Sequence, residues 1–158
     1  MQQHGRQHPM NRKSIALAAL VFFSAPGWSA FQEREYNTWY IKNAVLYDMT
    51  QTSDGFPVMV SIFQPERKSA NLVVSYITEG RCDDNNQQLN VNGKVLAAKY
   101  RCVQVGQNRI DHFSVVDANS VNSLVTYLKS DFTLLLQNDI KIWAANIKTP
   151  KYGLTPRF

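Results

Sequence analysis

The clearest alternation of apolar and polar positions lies in the middle of the chain. Across 57–64, Val58, Val60 and Ile62 fall on one side and Met59, Ser61 and Phe63 on the other. Residues 72–78 repeat this period of two with β-branched and aromatic side chains, so both segments predict strands joined by the polar connection 65–70. Residues 39–49 mix aromatic and aliphatic side chains and read as a first strand, with a helix as the alternative, and Thr52-Ser53-Asp54-Gly55 reads as a turn. Asn92-Gly93 is a strong hairpin signal because both residues tolerate positive φ. It predicts a strand at Leu89 and Val91 leading in and one long strand over 95–105 leading out. On that long strand Leu96, Ala98, Tyr100 and Cys102 share the inward face, and Lys99 and Arg101 share the other. After a turn at 106–108, residues 110–116 form the next strand.

The period then changes. Val121, Leu124, Val125 and Leu128 follow the i, i+3, i+4, i+7 spacing of a buried helical stripe, with Asn119 or Ser120 as the cap and Lys129 in the last turn. Segments 132–137 and 140–145 are apolar strands about Asn138-Asp139. The expectation is an α+β, β-rich fold: mostly antiparallel sheet of about seven or eight strands, with one amphipathic helix over about 120–130 on a sheet face.

The front of the chain changes the reading. Arg6, Arg12 and Lys13 precede the apolar run 15–23, which is followed by Ser24, Ala25, Pro26, Gly27, Trp28, Ser29 and Ala30. That order is the one of a cleavable signal peptide over 1–30, cut after Ser29 or Ala30, with translation starting at Met1 or Met10. The apolar run falls short of the roughly 20 residues that span a bilayer. Without a cysteine at the cut or a twin-arginine pair, the expected route is Sec, and the expected location periplasmic or secreted. The domain organisation is then a globular domain over 31–148 and an irregular basic tail over 149–158.

Removing 1–30 also removes three cations and no acid. The overall charge of +5 falls to +2, from 14 basic and 12 acidic residues, so nucleic acid is not implied as a partner. Cys82 and Cys102 are the two cysteines of the chain, and an exported even pair reads as a disulfide, here tying a loop start to the long strand. A closed loop of that size contributes about 3 kcal/mol.

Candidate chemistry is sparse. His112 lies near Asp111, Ser114 and Asp117, but on a strand Asp111 points away from His112 and Ser114, and no Gly-x-Ser-x-Gly elbow occurs. Glu79, Asp83 and Asp84 lack the alternating oxygen ligands and Gly turn of a calcium loop. No nucleotide fingerprint occurs. The expectation is no catalytic residue, no metal and no cofactor. The stretch from Lys141 onward carries Lys141, Lys148, Lys151 and Arg157 without an acid, interleaved with Trp143, Tyr152 and Phe158, and is the candidate partner-binding surface.

From Leu89 to Leu136 the order is a short strand, Asn-Gly, a longer strand containing Tyr-Arg-Cys, another strand, an amphipathic helix and an apolar strand. This order resembles bacterial periplasmic proteins of the invasion-associated locus B type, over less than half of the chain. The resemblance implies a secreted or periplasmic, non-enzymatic envelope role and brings no functional residues with it. The first functional expectation is a non-catalytic exported domain that binds another envelope or secreted protein: an inhibitor, an immunity protein, or a secretion or conjugation accessory. The second is an assembly component of a cell-envelope machine, docking through the tail from Thr149. A small envelope enzyme comes third.

Overall fold

The computed structural model describes residues 35–83 and 87–153. The strands in chain order are β1 (Tyr40–Lys42), β2 (Val45–Gln51), β3 (Pro57–Phe63), β4 (Asn71–Glu79), β5 (Leu89–Val91), β6 (Lys94–Leu96), β7 (Lys99–Val105) and β8 (Asn108–Val115). Helix α1 (Ala118–Lys129) follows, then β9 (Leu134–Leu136), β10 (Ile140–Ile142) and β11 (Lys151–Tyr152). Seven strands form one sheet in the order β11-β1-β2-β3-β4-β8-β7, and four form a second in the order β10-β9-β5-β6. All pairings are antiparallel except β1 with β11. The fold is α+β and β-rich.

The period of two places the core. In register across the large sheet, Leu46, Ile62, Leu72 and Val115 form one inward row, and Val60, Val74 and Phe113 the next. Helix α1 covers β4 and β8 on this face and buries Val121, Val125 and Leu128. The small sheet adds Leu89, Val91, Leu134, Leu136, Ile140 and Ile142 to the same cluster. Burying side chains of this size stabilises the fold by about 1.5–3 kcal/mol each. Asn122 fastens the 64–70 connection to α1, accepting from the Glu66 amide at 2.8 Å and donating to the Arg67 carbonyl at 2.9 Å.

Four sequence expectations are corrected. The segment 39–49 is a hairpin, not one strand: Asn43 and Ala44 take φ values of 52° and 61° and turn β1 into β2. The segment 95–105 is two strands. It leaves the small sheet after Leu96 and joins the large one at Lys99, because Leu89 and Val91 pack inside the small sheet while Tyr100 must reach Phe113. Helix α1 is capped by Asp117, not by Asn119 or Ser120; its carboxylate accepts from the Ser120 amide at 2.9 Å and lies below its ordinary pKa through the Ser120 hydroxyl and amide. Finally, the span 149–158 is not irregular throughout. Lys151 and Tyr152 pair with Tyr40 and Ile41, leaving Leu154–Phe158 outside the described residues. The segment 1–30 also lies outside them. Among the described residues no helix is long and apolar enough to cross a membrane.

Candidate ligand groove

Tyr36 and Asn37 belong to a lead-in segment that runs beside β2 rather than away from it. The Asn37 amide donates to the Met49 carbonyl at 2.7 Å, and the Thr38 amide to Asp48 Oδ1 at 2.8 Å. Trp39 is fully buried, its amide bonded to Asn146 Oδ1 at 2.7 Å and its indole N–H to the Trp143 carbonyl at 2.9 Å. From the other side β10 is tied to β2, since the Thr50 hydroxyl donates to the Lys141 carbonyl at 3.0 Å. The Asp139 carboxylate accepts from the Ser53 amide at 3.2 Å.

These ties leave an open groove of about 470 Å³ lined by Tyr36, Asn37, residues 50–53, Asp139, Lys141 and Trp143. Tyr36 and Trp143 stay 43% and 42% exposed, so both rings present apolar surface to the groove. Lys141 Nζ lies 5.8 Å from the centre of the Trp143 ring and has no ion-pair partner among the described residues. The groove therefore offers two aromatic faces, the Lys141 cation, the Asp139 carboxylate and several hydroxyl and amide groups, on a frame tied mainly by bonds between side chains and backbone.

The candidate partner-binding residues do not form one surface. Lys141 and Trp143 enter the groove. Lys148 is paired with Asp131 at 2.7 Å and Lys151 with Glu35 at 2.6 Å, so neither charge is left over. The Glu35 carboxyl is held below its ordinary pKa by Lys151, and the Lys151 ammonium above its own by Glu35. Tyr152 is exposed on the edge strand β11. Arg157 and Phe158 lie outside the described residues. Tyr36 and Asn37, like residues 50–53 and Asp139, line the groove without standing among the candidate partner-binding residues. An aromatic side chain inside a polar segment was the available signal.

The Cys82–Cys102 disulfide is formed, with 5.8 Å between the Cα atoms. It fastens the segment that follows β4 to β7, and Gln104 reinforces it by accepting from the Cys82 amide at 2.8 Å and donating to the Gly80 carbonyl at 3.2 Å. Cys102 is half-buried rather than sunk in the core.

His112 finds a serine, but not Ser114. Its Nδ1 lies 2.6 Å from Ser75 Oγ across the β4–β8 pair. Burial, with Arg101 beside it, lowers the His112 pKa. Ser75 is 95% buried, which withdraws its oxygen from any substrate. Asp111 is on the opposite face, bonded to the Tyr100 hydroxyl at 2.7 Å and to Arg109 at 3.3 Å, and so cannot orient the imidazole. Burial and Asp111 push the Tyr100 hydroxyl pKa upward. Asp117 is occupied as the helix cap. Among the described residues no three His, Cys, Asp or Glu side chains gather as a metal site would require; Asp84 lies outside them.

Comparison with known proteins finds no matching family model, no matching curated protein and no matching solved structure.

Proposed function

We propose that the chain is an exported, non-catalytic domain that binds a partner protein in the groove between Tyr36 and Trp143. The observation that carries this reading is the pair of half-exposed aromatic side chains flanking an unpaired lysine on a rigid frame. Tyr and Trp supply most of the binding energy in protein interfaces because they bury a large area at little entropic cost, and a nearby free cation adds selectivity for an acidic partner. The signal-peptide pattern, the disulfide and the resemblance over Leu89–Leu136 support an envelope or secreted setting.

The test is cross-linking capture from envelope extract by the oxidised mature chain, residues 31–158, alongside Trp143→Ala and Lys141→Glu. One stoichiometric protein captured by the parent and lost with Trp143→Ala, at unchanged thermal stability, is the expected outcome. Equal capture by both, or none by either, removes the reading. Deleting the chain from Thr149 is the wrong probe, because it strips β11 from β1.

A further inference from the structure

The second margin of the large sheet has a property the groove lacks. β7 is the last strand of its sheet and is seven residues long, with no proline. Gly106 at φ 59° and Gln107 turn it into β8 through a two-residue loop, with Val105 opposite Asn108. Such a turn closes with a hydrogen bond between those two residues. Alternation along an antiparallel ladder then directs the backbone groups of Val105, Val103, Arg101 and Lys99 toward β8. The N–H and C=O groups of Tyr100, Cys102 and Gln104 point away from the sheet. No backbone bond from another segment reaches them among the described residues. An unpaired row of this kind is a template for another strand.

The side chains decide which strand. Lys99 and Arg101 are exposed on the outer face, and neither has an ion-pair partner among the described residues. Their row-mates are Ser114 and Val73 for Lys99, and His112 and Ser75 for Arg101. No carboxylate stands in either row. A second copy paired symmetrically about Cys102 would set the two Arg101 side chains diagonal to each other, a like-charge contact that opposes self-association. The same two cations attract a strand with carboxylates at alternate positions.

We infer that β7 accepts an extended acidic segment of a partner protein as an added strand, with Tyr100, Cys102 and Gln104 supplying the backbone hydrogen bonds and Lys99 and Arg101 selecting carboxylates. This rests on the reading that the ligand is a protein, and it uses a site separate from the groove. The disulfide holds β7 in place from behind through Cys102, so the edge is ordered before the segment arrives.

The probe is a fluorescent peptide alternating glutamate with valine or threonine, followed by anisotropy at low salt, with amide hydrogen exchange on the same complex. The peptide binds the mature oxidised chain and slows exchange at Tyr100, Cys102 and Gln104. Lys99→Glu with Arg101→Glu weakens it by about tenfold or more and admits the lysine counterpart of the peptide. Methylating alternate peptide nitrogens abolishes binding. Trp143→Ala leaves binding unchanged, which separates this site from the groove: failure to capture a partner with the peptide still protecting β7 overturns the groove alone, and the reverse overturns the edge alone. No binding, binding without protection of the three amides, equal affinity for the acidic and basic peptides, or loss with Trp143→Ala overturns the inference.

Discussion

At one margin of the large sheet β11 contributes two residues, runs parallel to β1, and has its lysine neutralised by Glu35. At the other, β7 contributes seven residues, carries two unpaired cations and is pinned by a disulfide. The short margin is a two-residue strand that pairs with β1. Its neighbour β1 is held at its start, by Asp48 at Thr38 and by Asn146 at Trp39. The long margin is held only from behind, which keeps it ordered and leaves its backbone unpaired. An edge can thus be protected in two ways: by making it short, or by making it selective through charge.

The largest effect expected at the short margin is a pH dependence centred on Asp48. This carboxyl is 99% buried, Oδ1 accepts from Thr38, and Oδ2 has no hydrogen-bond partner among the described residues. Burial pushes its pKa up to about 7, against 3.8 for an ordinary aspartate. Because the folded value is the higher one, the contribution is fully present below pH 4 and is lost as pH rises through 7. Linkage puts the total at on the order of 4 kcal/mol. Urea denaturation at pH 5 and pH 8.5 should show the parent losing stability between them, and Asp48→Asn should flatten that slope. His112, whose pKa is lowered, works in the opposite direction, so the difference between the two proteins isolates Asp48. An equal slope in both would show that the carboxyl is not the group responsible.

Next is the open margin. Replacing Cys82 and Cys102 by serine removes a loop closure across a sequence separation of 20 and should cost about 3 kcal/mol in denaturant unfolding. Hydrogen exchange should quicken in β7 and the tip of β8 while β1 and β11 stay as they were. Uniform quickening would mean that the disulfide supports the whole fold and not that edge.

A smaller effect sharpens the short side. Ala44 holds a left-handed φ of 61° in the β1–β2 turn, a conformation that strains any residue with a Cβ. Ala44→Gly should therefore stabilise by about 0.5–1 kcal/mol, the relief exceeding the entropy that glycine adds to the unfolded chain. A drop in midpoint would show that the entropy term wins. The smallest effect is at Lys151. Its pair with Glu35 is solvent-exposed, and Lys151→Ala should leave the melting temperature unchanged, because such pairs are screened.

The same turn shows what was legible. Asn92-Gly93 announces its hairpin, since a side-chain-free residue at φ 79° is what such a turn favours. Asn43-Ala44 makes an equivalent turn without glycine, so β1 and β2 read as one strand. The α1 stripe was visible because Val121, Val125 and Leu128 obey a period that packing cannot disguise. The cap at Asp117 was missed because Asn119 and Ser120 are also good caps, and only the Ser120 hydrogen bonds decide among them.

The disulfide partners followed from the sequence because the chain has only two cysteines, and the fold class followed because strand and helix periods are local properties. The groove and the free edge did not. Tyr36 and Trp143 are far apart in the chain, and they flank one groove only because Asn146 and the Trp143 carbonyl hold Trp39. Likewise, nothing within residues 99–105 says that β8 pairs on one side and, among the described residues, no strand on the other. Period and composition are written residue by residue, whereas pairing order is fixed by which distant apolar faces bury one another, and that is decided only when the chain has folded.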